Sequence, residues 1–475
     1  MNPAFRNSAL STIALLAAGC GIQKEQPNFV FILVDDLGWA DVACNNPASF
    51  YETPNIDRLA ESGIRFTQAY AASPVCSPTR ASLLTGKYPT RVSITDWIPG
   101  DDPQDRPLLG PADRNELDLA EITFAELLHQ KGYRTGYIGK WHLGDTGFFP
   151  ENQGFDLNIG GYHKGSPVSY YSPYKNPRLT DGPEGEYLTD RLTDESIRFI
   201  KENSNRPFLL YLSFYTVHTP LQAAKKHFEH FREKREKMGF YDVPAHPEGE
   251  GFTHPRQDNA VYASMVAAMD ENVGRIVETL RNQGLDKNTW IIFTSDNGGL
   301  STLRRGEAPT CNDPLRAGKG WCYEGGIRVP LIIAGPGLKN PGTVSGTPVI
   351  SMDFFPTILN LAKINAPAND GQNLVPLLTR DQPLDREKLF WHFPHYHGSG
   401  WKPGSAYRNG DWKIVVHYEE NYTELFNLAA DPYETDDLAA QMPEKRDAMK
   451  AELEQLLKEA NGQLPSPNPA YQAAP

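Results

Sequence analysis

Residues 27–38 read PNFVFILVDDLG, and the fold is decided here. From Pro27 to Val34 the run is continuously apolar rather than alternating, which is the pattern of a strand buried on both faces. It stops at Asp35 and Asp36. In an open α/β sheet the C-terminal ends of such strands are where ligands bind. Adjacent carboxylates repel one another, so a divalent cation is the natural reason to gather two of them there. For an Asp-Asp pair alone, a solvated turn or a helix N-cap is the simpler reading.

The same grammar recurs outward from this stretch. Residues 208–215 (FLLYLSFY) and 290–294 (WIIFT) are further buried-strand runs, 64–70 is strand-like, and 331–334 reads as one more parallel strand. Helical segments lie between: 54–63, with Thr53 as N-cap, Pro54 first and Gly63 as stop; 123–130; 260–280; and 353–361. In the third, Met265, Met269, Val273, Ile276 and Leu280 make a stripe that packs on the sheet. Strands alternating with helices define an α/β class. After about residue 366 the pattern changes. Residues 407–408, 412–418 and 423–427 read as antiparallel strands, with Asn409-Gly410 as a hairpin turn, and 443–460 as a last helix. The expected organisation is therefore a large domain over 27–365, a smaller C-terminal α+β domain over 366–464, and a disordered tail at 465–475.

At 475 residues the chain should hold more than one core. A net charge of −13 argues against a nucleic-acid binder, although a local cluster of bases can still take an anion. Residues 1–20 read as a secretory signal: Arg6 precedes the apolar run 9–18, which is short for a membrane span. Cys20 after Gly19 looks like a bacterial lipoprotein site, with ordinary signal-peptidase cleavage as the alternative. The expectation is export to the periplasm, or anchoring at the outer membrane of a Gram-negative bacterium, with membrane contact only through Cys20. Export permits disulfides, and Cys311 and Cys322 bracket one loop, so a bridge between them is plausible; Cys44 is then unpaired and buried.

Chemistry-bearing residues gather where strands end. Residues 132–142 (GYRTGYIGKWH) close on Lys140 and His142, which share a face if the strand runs through. His218 follows the 208–215 run, and Asp296 and Asn297 follow 290–294. Asp-Asn beside Asp-Asp is a hard-oxygen set, which suits calcium, then magnesium, better than zinc. Residues 74–86 read PVCSPTRASLLTG, a Cys-x-Pro-x-Arg turn opening a short helix. Alone, Cys76 is a thiol at a helix start or a buried structural cysteine.

Together with GKWH, the stretch Lys319-(four residues)-Glu324-Gly325-Gly326-Ile327-Arg328, and a histidine-proline turn at 218–220, this Cys76 motif closely resembles the formylglycine-dependent type I sulfatases. The resemblance spans nearly the whole chain beyond residue 20, in motif order, and extends to bacterial carbohydrate sulfatases and N-acetylgalactosamine-sulfate sulfatases. It implies an alkaline-phosphatase-like fold: a large mixed β-sheet sandwiched by helices, plus the smaller antiparallel domain. It also implies that a formylglycine-generating maturation enzyme oxidises Cys76 to 3-oxoalanine (formylglycine), whose hydrate attacks sulfur. By that carry-over Asp35, Asp36, Asp296 and Asn297, with the Cys76-derived side chain, hold Ca2+. Arg80 and His142 position the nucleophile, Lys140 and Lys319 stabilise the sulfuryl oxygens, His218 protonates the leaving oxygen, and Glu324 and Arg328 hold their loop.

The substrate class expected from this likeness is a sulfated carbohydrate, with a galactose or N-acetylgalactosamine sulfate first. Aromatic residues across 145–190 and the group His395, His397, Trp401 and Lys402 are candidates for contacting sugar, against packing as the alternative. A formylglycine-dependent phosphonate monoester hydrolase or phosphodiesterase, and a silent glycan-binding lipoprotein, are the rival readings. Residues 222–258 read as a charged, solvated insertion.

Overall fold

The computed structural model describes residues 26–472 apart from Asp102. The signal segment and Cys20 lie outside the described residues. Eight strands form the main sheet: β1 (Asn28–Val34), β2 (Ile64–Phe66), β3 (Arg134–Gly139), β4 (Leu157–Ile159), β5 (Phe208–Ser213), β6 (Thr289–Ser295), β7 (Leu331–Ala334) and β8 (Thr343–Ser345). Their order is β8-β2-β7-β6-β1-β5-β3-β4. Every residue of β1 is buried, as its unbroken apolar run requires. β6, β1, β5, β3 and β4 run parallel.

β7 does not. It pairs antiparallel with both β6 and β2, which corrects the expectation of another parallel strand. The reason lies in the connection. After β6 the chain wanders through 296–330 at the C-terminal edge of the sheet and enters β7 from that same edge, so it must run back. This detour keeps Lys319 beside the strand ends.

Helices cover both faces. Alternation along β5 shows it: Phe208 packs on Phe199 of the helix Leu188–Glu202, while Tyr211, of opposite parity, packs on Phe124 of the helix Phe124–Gln130. The predicted start of that second helix is a capping box, with Thr123 Oγ1 accepting from Glu126 N–H and Glu126 accepting from Thr123 N–H. The charged insertion forms a helix, Lys225–Lys237, whose Phe231 is buried against Phe50, and a short hairpin, so it is not wholly solvated.

The smaller sheet comprises β9 (Lys388–Phe393), β10 (Gly404–Asn409), β11 (Trp412–His417) and β12 (Tyr422–Asn427), all antiparallel. Asn409 pairs with Trp412, so the turn residues are Gly410 and Asp411, one position later than read from sequence. One face (Tyr407, Ile414, Val416, Leu425) packs on Met449, Leu453 and Leu457 of the helix Pro443–Glu459. The other (Trp391, Phe393, Val415, Phe426) packs on Tyr70, Val75, Trp321 and Ile350 of the large domain. The tail is tied down where disorder was expected: Ser466–Pro467 pairs with Leu108–Leu109.

Cys311 and Cys322 are both buried free thiols, not a bridge. They belong to different surroundings: Cys311 stands near Asp41 and Gln257, Cys322 in the core shared with the small sheet. Cys44 is also free but only partly buried; burial and Asp57 push its thiol up to about 12.

Candidate active site

β6, β1, β5 and β3 end level with one another: Val34 pairs with Ser295, and Leu33 and Gly139 both pair with Ser213. The residues that follow therefore meet at one edge. Asp35 and Asp36 come from β1, Asp296 and Asn297 from β6, His218 from the turn after β5, and Lys140 and His142 from the turn after β3. Asp36 and His142 both have φ of 60°, a left-handed conformation uncommon outside glycine and typical of functional sites. The strand behind Lys140 stops at Gly139, so the expected two-residue alternation does not set His142; its left-handed backbone does. Gly139 is itself required, since a Cβ there would come within 1.8 Å of the Ser213 carbonyl oxygen.

Cys76 is the first residue of the buried helix Cys76–Thr85, and Arg80 lies one turn on along the same face. The guanidinium of Arg80 reaches under the sheet edge. Its Nε donates to Asp296 Oδ2 (2.8 Å), and Nη1 donates to the Lys140 carbonyl (2.9 Å) and Ser213 Oγ (2.7 Å). Lys140 Nζ donates to both oxygens of Asp35 (2.8 and 2.9 Å). Lys319 Nζ donates to Asp36 Oδ2 (2.9 Å), and Asn297 Nδ2 to Asp36 Oδ1 (2.8 Å). His218 Nε2 stands 3.7 Å from Asp36 Oδ2, and its Nδ1 bonds the Thr219 carbonyl (2.7 Å). Tyr170 fixes that turn, its hydroxyl donating to the carbonyls of Tyr215 and His218.

His142 Nδ1 is 3.3 Å from Cys76 Sγ, while Nε2 bonds the Ile98 carbonyl. A carbonyl can only accept, so Nε2 carries the proton and Nδ1 presents a lone pair to position 76. Ser77 holds this arrangement together, donating to the His142 carbonyl (3.0 Å) and accepting from Ile98 N–H (3.1 Å).

Electrostatics follow from burial first. Burial lifts the Asp35 carboxyl well above its usual range; Lys140 opposes this, and Asp296 and Asp36 add to it. Burial acts on Asp36 too, but Lys319, His218 and Lys140 outweigh it and hold that carboxyl low. Asp296 is held low by Arg80 and Lys140 against the same burial. Burial and Lys319 push His218 down to about 3, and burial with Lys140 drives His142 well below its ordinary value.

A hard cation fits these residues. Ligand atoms of Asp35, Asp36 and His218 lie within 4.8 Å of one another, which adds a histidine to the set expected from sequence. Asn297 Oδ1 is a buried acceptor without a hydrogen-bond partner, a costly state unless a cation takes it.

Above this cluster opens a cleft of about 430 Å³ reaching Cys76, His142, His218 and Lys319. Of its other walls, His163 to Ser166 fall in the 145–190 stretch expected to shape the pocket, whereas sequence reasoning missed Trp97 to Pro99. Both come from loops without periodicity, and no motif marks them. The proposed sugar wall on the small domain is mostly an interior. Trp401 packs among Trp321, Tyr323 and His417, His395 is buried and bonded to Thr95 Oγ1, and Lys402 is taken by Glu419 and Glu420; only His397 reaches the cleft. Likewise Phe149, Tyr162, Tyr170 and Tyr174 are core residues, not exposed platforms. Glu324 and Arg328 pair with each other and stay out of the cleft.

The sulfatase family profile matches residues 27–364, and a profile described as the C-terminal region of N-sulphoglucosamine sulphohydrolase matches 317–463. A sulfatase of Formosa agariphila is 31% identical, covering 89% of this chain and 86% of its own. The N-acetylgalactosamine-6-sulfatase of Mus musculus is also 31% identical, over 93% of this chain and 86% of its own. Among solved structures, Ps i-CgsB in complex with k-i-k-neocarrahexaose is 29% identical with a TM-score of 0.73, covering 94% of this chain and 95% of that one. The chain belongs to the sulfatase family of enzymes.

Proposed function

We propose that the chain is an exported sulfuric ester hydrolase that removes sulfate from a sulfated carbohydrate, first among them a galactose or N-acetylgalactosamine sulfate. A relative named N-acetylgalactosamine-6-sulfatase and a structural neighbour in complex with k-i-k-neocarrahexaose support a carbohydrate substrate. The N-terminal signal pattern supports the periplasm or the outer membrane, with Cys20 as the lipid anchor. The observation that carries the reading is the convergence of Cys76 and the carboxylate cluster beneath one cleft, with Asn297 Oδ1 left unpartnered.

Asp35, Asp36, Asp296 and Asn297 would hold calcium beside position 76, where a maturation enzyme would have converted Cys76 to formylglycine. When present, the cation supplies Lewis-acid charge and the formylglycine supplies the attacking oxygen. The remaining work falls to the side chains. Arg80, Lys140 and Lys319 balance Asp296, Asp35 and Asp36 charge for charge, so an added divalent cation leaves the site net positive and attractive to sulfate. Lys319, at the cleft floor, faces the sulfuryl oxygens, where a preorganised charge stabilises the transition state. His142 presents Nδ1 as a proton acceptor for the nucleophile at position 76. His218 has its Nδ1 proton committed to the Thr219 carbonyl and turns Nε2 to the site, so the proton for the departing alkoxide comes from the imidazolium form, whose second proton sits on Nε2 and which the negative charge of a bound sulfate favours.

Two measurements test this. Protein made in a host with a maturation enzyme should show formylglycine at position 76 by mass spectrometry, and it should release sulfate from a panel of defined sulfated sugars. An unmodified cysteine with no sulfate release in such a host overturns the reading. Faster cleavage of an aryl phosphonate monoester than of the matching aryl sulfate would favour the phosphonate hydrolase instead.

A further inference from the structure

The cleft carries a cation for which the hydrolytic machinery has no use. None of the residues lining it is a carboxylate, in a chain whose net charge is −13. Its two lysines differ in what they hold. Lys319 is engaged by both oxygens of Asp36, at 2.8 and 2.9 Å. Beneath it Arg80 and Lys140 are engaged by Asp296 and Asp35. Lys164 is exposed and has no hydrogen-bond or ion-pair partner among the described residues.

Its backbone, by contrast, is fixed. Gly165 lies flat on the His142 ring, where a Cβ would come within 2.2 Å of Cε1. His142 N–H donates to the Tyr162 carbonyl (3.3 Å), and the Tyr162 ring packs edge-on against His163, which sits 3.6 Å from Asp145. An exposed ammonium is thus mounted on an anchored loop, in the same cleft as the nucleophile. The scissile sulfate draws on Lys319 and the groups below it, none of which is free to take another anion without leaving its own aspartate. The volume, about 430 Å³, falls within the usual size range of small-ligand sites and leaves room for more than the reacting group.

We propose that Lys164 binds a second anionic group of the substrate, a further sulfate or a hexuronate carboxylate, so that the preferred sugar is doubly charged. The inference deepens the sulfatase reading above and rests on it. Trp97, half-buried in the same cleft, offers an apolar surface for the sugar.

The test uses formylglycine-containing enzyme and three saccharides: one monosulfated, the same sugar with a second sulfate, and a monosulfated sugar linked to a hexuronate. The readout is the ratio of kcat/KM on each doubly charged sugar to that on the monosulfated one. A solvent-exposed ion pair is weak, so Lys164→Ala should lower the ratio about two- to fivefold through KM, and Lys164→Glu further. Lys164→Arg should restore it, which a loss of loop structure would not allow. Which ratio falls identifies sulfate or carboxylate as the second anion. Ratios unmoved on both sugars by Lys164→Ala and Lys164→Glu overturn the proposal. Absence of turnover on all three sugars by the unsubstituted enzyme fails the sulfatase reading itself, a different result.

Discussion

Among the described residues, two of the buried charge clusters are built differently. At the sheet edge, Asp35, Asp36 and Asp296 face Arg80, Lys140 and Lys319. Under the small domain, Glu324 and Glu434 face Arg328 and Lys413. In the second cluster every charge meets an opposite one. Lys413 Nζ reaches Glu324 Oε1 (2.9 Å) and Glu434 Oε1 (2.7 Å), Arg328 pairs with Glu324, Glu434 accepts from Glu324 N–H, and Arg408 and Arg328 share the Tyr70 hydroxyl. Of its members Glu434 lines a cleft of about 450 Å³ shared with Glu248 and Arg316, and that cleft does not reach Cys76. The edge cluster has left-handed backbone at Asp36 and His142, an unpartnered amide oxygen at Asn297, and an open cleft. A closed network fixes where the domains sit; an incomplete one keeps binding capacity in reserve.

Substitution should separate them. Cys76→Ala should leave the melting temperature near that of the parent and lower sulfate release by roughly 10⁴-fold or more, the scale on which losing a covalent nucleophile acts. Lys413→Ala should do the reverse. It strands the buried Glu434 and leaves Glu324 to Arg328 alone, which costs about 3–5 kcal/mol, seen as a lower denaturation midpoint. Activity of the fraction that stays folded should be largely kept. A Lys413→Ala enzyme that is fully stable would show that the clamp is ornamental.

The cation should touch one cluster only. Chelation should abolish turnover and remove about 2.7 kcal/mol of stability relative to protein at a hundredfold excess over Kd. In Asn297→Ala the calcium affinity should drop by at least 10- to 100-fold, so that chelation changes stability less. Glu324→Gln, though destabilising, should leave the calcium response intact. Equal responses in both variants would mean that the amide oxygen is no ligand.

How far the sequence could be read depended on what made each feature. β1, β5 and β6 are legible because burial on both faces writes a nearly unbroken apolar run, and the convergence of the ten candidate residues because each follows such a strand or sits in a dense motif. The direction of β7 was not legible, since Leu331 to Ala334 reads alike in either sense and only the path of 296–330 decides it. His142 was placed by its motif but not by strand alternation, because φ at one residue is not encoded by periodicity. Trp97 was missed for want of any pattern, and within the 145–190 stretch nothing singled out Lys164. Trp401 and His395 misled because an aromatic-rich loop has the same composition whether it faces sugar or the neighbouring domain.

The clamp also makes a prediction about pH, and its effect is the most modest. Burial raises the Glu434 carboxyl to about 7, with Glu324 adding to and Lys413 opposing the shift. Its partner Glu324 feels the same burial, but Arg328 and Lys413 outweigh it and bring the carboxyl down to about 2. The two then act in different windows. A carboxyl whose folded value is depressed stabilises above its unfolded value, 4.5, and loses that only as pH falls towards 2. A carboxyl whose folded value is raised does the opposite: Glu434 keeps its proton in the folded chain where the unfolded chain has shed it, so stability falls as pH rises from 4.5 through 7. Between pH 5 and 7 the loss should be on the order of 2 kcal/mol. Other buried carboxyls, Asp41 and Asp270 among them, are also raised to about 6 and slope the same way, so the parent curve alone proves nothing. The decisive quantity is the difference between parent and Glu434→Gln in denaturant midpoint at pH 5 and pH 7: it should shift in favour of the variant as pH rises, and parallel curves would remove Glu434 from the account.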